Sequence, residues 1–575
     1  MRKIFSGKKA ISIMLCLTMV ASLSICGFAS DDKIKADKPK VKIEKIEMKE
    51  IFDKNKDKIF ESLSKEMKKT EDELPVIIVF NEKSDKVKSN NIKSLLGKYK
   101  VKHEYKNIPA AAMKLNKEEI EELSKLDIVK HIEYDEEVKT FNDTANYWFG
   151  TEKARNDFDL DGDRDGNINN YSKDDVVVAV IDTGIDGNHV DLDGGKIIAW
   201  KDYVGNQSSP YDDHGHGTHV SGIIAGEGDG NQDYKGVAEG AALVGLKVLN
   251  DQGSGSMSDV TAAIDWCITN KDLYGIDIIN MSLGTSGSSD GTDSTSLAVN
   301  RAADSGIAVL VAAGNSGPAK YTVGSPGAAE KAITVAAMAD VGENGFNITD
   351  FSSRGPTADE RMKPDISAPG YKITAPEANS TNNYVEFSGT SMATPFTAGT
   401  VALMLDANSN LTPTQIKDNL ISTAQDWGGN GQDVDYGFGK LDGYEAIKEA
   451  GGFSGNNIDL PNHIYDSDSL ANKGSTDVWE FTVTDTSYPI AITLIMPNWQ
   501  GGSWWGGEPD FDLYLYDSNQ NQLASSTGST RQETINFTPS TTGTYKIEVY
   551  SYSDSGDYFL DLSAGADNLT LVQNQ

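Results

Sequence analysis

Ser391 stands in "FSGTSMATPF", behind a Gly-Thr step and at the mouth of the helix-like run "MATPFTAGTVALMLD". Taken alone it reads as a helix cap, because a serine oxygen accepts from the free N–H groups of a first turn. Three other segments change that reading. Asp182 ends the strand-like "VVVAVID" just before a Gly turn, His216 opens the helix-like "HGTHVSG", and Asn315 closes the strand-like "VLVAAGN". Each is an ordinary turn or surface residue in isolation. Together they supply an acid, a base, a nucleophile and an amide donor. A serine hydroxyl attacks poorly at neutral pH, so an imidazole must take its proton, and a carboxylate must orient that imidazole and stabilise its charged form.

These residues must be brought together by the segment from about 175 to 450. Short runs such as "DVVVAVID", "ALVGLKVL", "DIINMSL", "IAVLVAAGN" and "AITVAAM" alternate there with helix-like stretches. The runs are apolar without strict alternation, as expected of a parallel sheet covered on both faces. The pattern predicts an α/β fold with a doubly wound, mainly parallel sheet, whose sites form at the carboxyl ends of the strands.

The stretches "AVIDTGID", "HGTHVSG", "NMSLG", "VAAGN", "FSSRGP", "KPDISAPG" and "GTSMATP" resemble the subtilisin-like serine peptidases, the subtilase family, in which the chain order is Asp, His, Ser. The resemblance implies that Asp182, His216 and Ser391 are catalytic. Asn315 and the backbone N–H of Ser391 would stabilise the oxyanion, where losing one donor costs about 10²- to 10³-fold in rate. Ser391 then belongs at a helix start because the free N–H groups there favour developing negative charge. Pro395 lies near the limit of where a helix start tolerates proline, and its missing N–H is expected to cost little. Of the neighbouring histidines, His219 reads as structural and His214 as a loop residue.

Further expectations follow from the same resemblance. An extended peptide would pair with Gly253, Ser254 and Gly255 on one side and with Ser282, Leu283 and Gly284 on the other. The pocket before the scissile bond would be lined by Ala313 and Gly314 and floored near Gly324, and their lack of charge predicts large apolar side chains there. "DLDGDRDGNINNYS" opens like a calcium loop, with Asp161, Asp163 and Asp165 before Gly166, but Ser172 stands where a complete loop has Glu. Five Asp within nine residues repel one another unless a cation is present. Asp191 matches a calcium-binding aspartate of subtilisins, while "EGDGNQD" at 227–233 departs from their usual calcium loop. Structural Ca2+ is therefore expected.

The flanks have their own signatures. Residues 1–29 carry four basic residues, an apolar run and small residues near Gly27 and Ala29, which reads as a signal peptide; the alternative is a lipoprotein acylated at Cys26. Residues 30–70 form a charged connector. Residues 71–140 alternate strand and helix patterns and resemble the inhibitor-like subtilase prosegment, a folding aid and intramolecular plug released by a cut between Thr140 and Asn146. The catalytic domain spans 141–452. After it, residues 453–575 read as short alternating strands of a β-sandwich and resemble the bacterial pre-peptidase C-terminal domain, which is often removed. There Trp504 and Trp505 are either an exposed binding platform or buried.

The net charge of −34 is uneven: residues 31–140 balance to +1, and residues 141–575 to −39. Such an acidic surface repels nucleic acid and anionic membranes. No later stretch is apolar enough to span a bilayer. Only Cys267 remains beyond the leader, so no internal disulfide is available and the thiol reads as core filler. The expectation is a secreted, monomeric, calcium-stabilised endopeptidase acting on polypeptides. Its rival is a catalytically silent adhesion or binding protein on the same scaffold.

Overall fold

The computed structural model describes residues 57–59, 63–64, 67–68, 73–81, 97–104, 110–134, 144–167, 170–343, 345–499 and 508–574. The expected signal peptide, most of the expected connector, the expected processing segment as far as residue 143, and Trp504 and Trp505 lie outside the described residues. The chain forms two compact units, residues 1–139 and 140–575.

In the first unit, strands β1 (Leu74–Phe80), β2 (Val101–Glu104), β3 (Ala110–Leu115) and β4 (Val129–Tyr134) form an antiparallel sheet in the order β2-β3-β1-β4, with helix α1 (Lys117–Ser124) between β3 and β4. One face of β1 is fully covered: Leu74, Val76, Ile78 and Phe80 are buried while their neighbours are half-exposed. Ile120 and Leu123 of α1 complete that core. Asn116 and Glu119 start the helix with a reciprocal capping box.

The second unit opens with α2 (Ala145–Trp148) and α3 (Thr151–Phe158) and is built on an eight-stranded sheet. Strands β5 (Val177–Asp182), β6 (Ile197–Asp202), β7 (Ala242–Lys247), β8 (Ile276–Met281), β9 (Ala308–Ala312) and β10 (Ile333–Ala339) run parallel in the order β10-β9-β8-β5-β7-β6. β11 (Asn347–Ile348) adds an antiparallel edge, and β12 (Ile366–Pro369) also pairs with β10. Helices α4 (His216–Ala225), α5 (Met257–Tyr274), α6 (Ser294–Asp304), α7 (Thr390–Ala407), α8 (Pro413–Thr423) and α9 (Gly443–Gly451) cover both faces, and β13 (Ile373–Pro376) and β14 (Tyr384–Phe387) form a hairpin.

β5 shows why its sequence does not alternate. Val178 and Val180 join the core under α4 and α7, whereas Val177, Ala179 and Ile181 join the one under α5 and α6. Both faces are dry, so every position before Asp182 is apolar. Cys267 is buried in the second of these cores, where burial pushes its thiol pKa up.

Beyond α9 the structure is all β. β15 (Asn462–Leu470), β16 (Thr476–Val483), β17 (Ile490–Ile495), β18 (Asp510–Asp517), β19 (Gln522–Ser526), β20 (Gln532–Phe537), β21 (Gly543–Ser553), β22 (Gly556–Ala564) and β23 (Val572–Asn574) make two antiparallel sheets, β15-β22-β17-β20 and β19-β18-β21-β16-β23. Their inner faces enclose a core of residues such as Trp479, Leu494, Leu513 and Ile547.

This sandwich is docked on the α/β domain. Ile495 lies in the same apolar core as Val335 and Ile366, and His463 stacks on Trp427 at 4.0 Å between ring centres. Arg531, wholly buried, grips Asp435 with both terminal nitrogens. Arg354, also wholly buried, stands 3.4 Å from the same carboxylate and donates to Gln532 Oε1 at 2.7 Å. Burial opposes ionisation of Asp435, but the two guanidinium charges outweigh it and hold its pKa below the ordinary carboxylate value.

Candidate active site

Because β9, β8, β5 and β7 are parallel neighbours, the residues that follow them emerge at one edge of the sheet. Asp182 ends β5, Ser282 follows β8 and Asn315 lies just past β9. Gly253, Ser254 and Gly255 lie in the loop after β7, where Asn250 N–H donates to Ser254 O at 2.9 Å.

Asp182 is fully buried, and its Oδ1 lies 2.7 Å from His216 Nδ1. Thr183 N–H donates to that same oxygen at 2.7 Å, fixing the carboxylate. About a fifth of the His216 side chain stays exposed, enough for a substrate to reach the ring. Burial disfavours the imidazolium, but the charge and hydrogen bond of Asp182, aided by Asp212, outweigh it and raise the His216 pKa above its ordinary value. The neighbouring His219 is the opposite case. It is wholly buried with Nε2 against Ile373 O and Val385 O, and burial, then the His216 charge, pulls its pKa down to about 3. It ties α4 to the β13–β14 hairpin, as its helical position suggested.

Two residues that the motifs did not single out set the imidazole in place. Asp212, buried, accepts from the N–H groups of His214, Gly215 and Thr218, so it satisfies the start of α4 from the preceding loop. Thr183 Oγ1 accepts from Gly217 N–H at 2.8 Å. Gly217 is needed because a Cβ there would stand 2.1 Å from Gly184 O. An acid four residues before a helix-opening histidine was the available signal for Asp212.

Ser391 is not a cap. The residue preceding α7 is Gly389, and Ser391 lies inside the first turn, so the capping reading fails. Its Oγ donates to Ser282 O at 3.1 Å, and among the described residues it makes no hydrogen bond to His216. In return, Ser282 Oγ donates to Ser391 O at 2.8 Å. This corrects the expectation for Pro395: in an α-helix the N–H of residue 395 would serve the carbonyl of residue 391. Proline leaves that carbonyl without its helical donor, and the Ser282 hydroxyl takes the place. Ser282, expected as a peptide-binding position, therefore braces the proposed nucleophile.

Asn315 faces the same turn. Its Oδ1 accepts from Thr390 N–H at 2.9 Å and Thr390 Oγ1 at 3.0 Å, which orients the amide with Nδ2 as the remaining donor group. A Cβ on Gly389 would stand 3.3 Å from that nitrogen, so glycine keeps the approach open. Thr390 also accepts from Gly314 N–H through Oγ1. Ala313 is buried behind this turn. Leu283 and Gly284 remain partly or fully open, and the following Thr285 N–H donates to Ser325 O at 2.8 Å, beside Gly324. Tight contact of Gly324 with Thr285 O leaves no room for a side chain.

The metal candidates divide. Asp191 is buried with both carboxylate oxygens occupied, by Gly230 N–H at 3.0 Å and Tyr384 OH at 2.9 Å. In this arrangement a phenol and an amide answer the charge for which the resemblance suggested calcium. Asp161 turns its Oδ1 to Asp163 N–H at 2.8 Å. The carboxylates that converge are Asp163, Asp165 and a residue not singled out from the sequence, Asp175.

A doubly wound parallel sheet that carries an Asp–His pair, a serine at a helix start and an amide at one edge has the residue types that a serine peptidase requires. Residues 173–439 match the Subtilase family, 54–119 the Tk-SP N-propeptide domain and 475–551 the bacterial pre-peptidase C-terminal domain. Serine protease AprX of Bacillus subtilis is 41% identical over 296 residues, which cover 47% of this chain and 66% of AprX, just under two thirds of its length. The Thermostable alkaline protease of Halalkalibacterium halodurans is 37% identical over 331 residues, 56% of this chain and 79% of that protein. Sphericase, a solved structure, is 37% identical with a TM-score of 0.41, covering 46% of this chain and 90% of its own. The chain belongs to the subtilase family of serine endopeptidases, and its propeptide marks it as a zymogen.

Proposed function

We propose that this chain is a secreted endopeptidase that cleaves extended polypeptides through an acyl-enzyme on Ser391. His216 acts as general base and then as general acid to the leaving amine, Asp182 orients it, and Asn315 Nδ2 with Ser391 N–H receives the oxyanion. The observation that carries this reading is the 2.7 Å Asp182–His216 contact at the sheet edge that also presents Ser391 and Asn315. The Ser391 hydroxyl must turn from Ser282 O toward His216 Nε2 before attack, a tightening that substrate binding commonly brings. The leader supports export, and among the described residues no helix is long and apolar enough to cross a membrane. The prosegment is assigned as an intramolecular inhibitor and folding aid. The uncharged Ala313, Gly314 and Gly324 support a preference for large apolar residues before the scissile bond. A structural cation belongs to the same reading.

Casein hydrolysis by the processed chain tests this. Phenylmethylsulfonyl fluoride is expected to abolish cleavage and to add one sulfonyl group to the peptide containing Ser391, read by mass spectrometry. Full activity after that modification would reject the assignment and favour the silent-scaffold reading. The acid limb of kcat/KM gives an independent check. Attack needs neutral His216, and a raised pKa keeps the ring charged to higher pH, so activity should fall off on the acid side from above pH 6.5. An acid limb below that value would contradict the Asp182–His216 pairing.

A further inference from the structure

The seam between the α/β domain and the sandwich holds a pocket of about 400 Å³ that the proposed chemistry leaves without a role. Asn347, Asp350 and Tyr371 line it from one side, and Ser526, Glu533 and Thr534 from the other. Two hydrogen bonds fix these walls to each other: Asn536 Nδ2 donates to Asn347 Oδ1 at 3.1 Å, and Gln532 Nε2 to Ile348 O at 2.8 Å. Among the described residues that line it, Asp350 and Glu533 are acidic and none is basic. Asp350 is exposed. Glu533 is only 2% exposed; its Oε2 accepts from the Ser526 hydroxyl, and its Oε1 has no hydrogen-bond partner. A Cβ on Gly528 would stand 2.6 Å from that Oε1, so glycine keeps a side chain off it. Burial raises the Glu533 pKa, as do the charges of Asp512 and Asp510, against the Ser526 hydrogen bond. A buried carboxylate oxygen without a donor is costly until one reaches it.

Short hydrogen-bonded links connect this pocket to the candidate active site. Tyr371 sits between Gly370, whose carbonyl accepts from Gly389 N–H at 2.8 Å, and Lys372, whose N–H donates to Ser388 Oγ at 2.9 Å. Ser388 and Gly389 lead straight into Ser391. Asp350 precedes Phe351, whose carbonyl accepts from Gly317 N–H at 2.8 Å, two residues past Asn315. None of the residues assigned to the peptide before the scissile bond lines the pocket. We propose that it receives an arginine or lysine side chain from the residues that follow the scissile bond, selected by Glu533 and Asp350; the proposal rests on the peptidase reading. A guanidinium or ammonium group brings several donors and no acceptor, which suits carboxylates and amide oxygens, whereas an acidic side chain would meet two like charges. The half-buried Tyr371 offers a ring face to the same cation, and the exposed Lys372 stands 5.5 Å from the centre of that ring. The sandwich, which supplies Glu533, is thereby part of the substrate site.

The test measures kcat/KM of the processed chain on internally quenched peptides that are alike up to the scissile bond and carry Arg, Lys, Ala or Glu at each of the first three positions after it. At one of those positions Arg and Lys should exceed Ala by about 10-fold, the worth of a charge-assisted hydrogen bond, and Glu should fall below Ala. Glu533→Gln should lower that Arg-to-Ala ratio, and Glu533→Gln combined with Asp350→Asn should abolish the preference. A merely structural effect of these changes would slow all peptides alike and leave the ratio in place. If Glu533→Gln does not fold, the exposed Asp350→Lys must carry the test by turning the preference toward Glu. Equal rates on Arg and Ala peptides at all three positions, an unchanged ratio in the double variant, or an unturned preference in Asp350→Lys would overturn the pocket, while the cleavage itself upholds the peptidase reading. Failure to cleave any peptide, the Ala series included, would reject that reading and the pocket with it.

Discussion

Ser391→Ala is expected to lower kcat/KM for a peptide substrate by about 10⁶-fold, the size known for subtilisin's own serine. His216→Ala should cost as much, and the double variant no more than either. In the proposed mechanism nucleophile and base act in one event: once the hydroxyl is gone, the imidazole has no proton to take. The 2.7 Å contact that orients His216 on Asp182 has value only while a serine proton is there to be moved. Residual turnover would come from binding and from the Asn315 donor. The measurement is single-turnover hydrolysis of a chromogenic peptide by variants matured with added parent enzyme, which is then removed. Additive losses in the double variant would show that the two residues do not share a step.

Arg531→Ala is expected to destabilise the second unit by about 3–5 kcal/mol, the usual cost of removing one member of a buried ion pair. Asp435 would remain buried, held by Arg354 alone at 3.4 Å. Urea unfolding in the Ser391→Ala background reads the change, and limited proteolysis should release the sandwich first, since Arg531 belongs to it and Asp435 to the α/β domain. A paired Arg531→Met, Asp435→Leu variant should recover most of the loss, because well-packed apolar groups replace a buried pair at little cost. Unchanged unfolding in Arg531→Ala would mean that the docking rests on Ile495 and the Trp427–His463 stack instead.

The sandwich is also where sequence reading reached its limit. Its alternating strands were legible because one face of each is wet and the other dry. Nothing in "STRQETINF" showed that Arg531 would be fully buried against Asp435, nearly a hundred residues away in sequence. A charged residue reads as surface until a partner of opposite charge is known to cover it.

The site divides in a similar way. Asp182, His216, Asn315 and Ser391 each look ordinary alone; their places at strand ends and helix starts had local signatures, and their proposed roles came from the resemblance of the surrounding motifs to one family. Asp212, Asp175 and the bracing role of Ser282 were not singled out, since each acts through a partner supplied by the fold. Pro395 shows the difference most plainly. Its sequence position placed it near the start of a helix; the structure showed that its missing N–H falls on the carbonyl of Ser391, the proposed nucleophile, and that a serine from the end of β8 fills the gap. Local sequence determined which backbone elements form and which reactive groups they carry, because hydrophobic periodicity and turn chemistry are short-range. Tertiary structure decided which buried charges and open carbonyls find partners, because a hydrogen bond or ion pair depends on distance in space, and chain folding sets that distance.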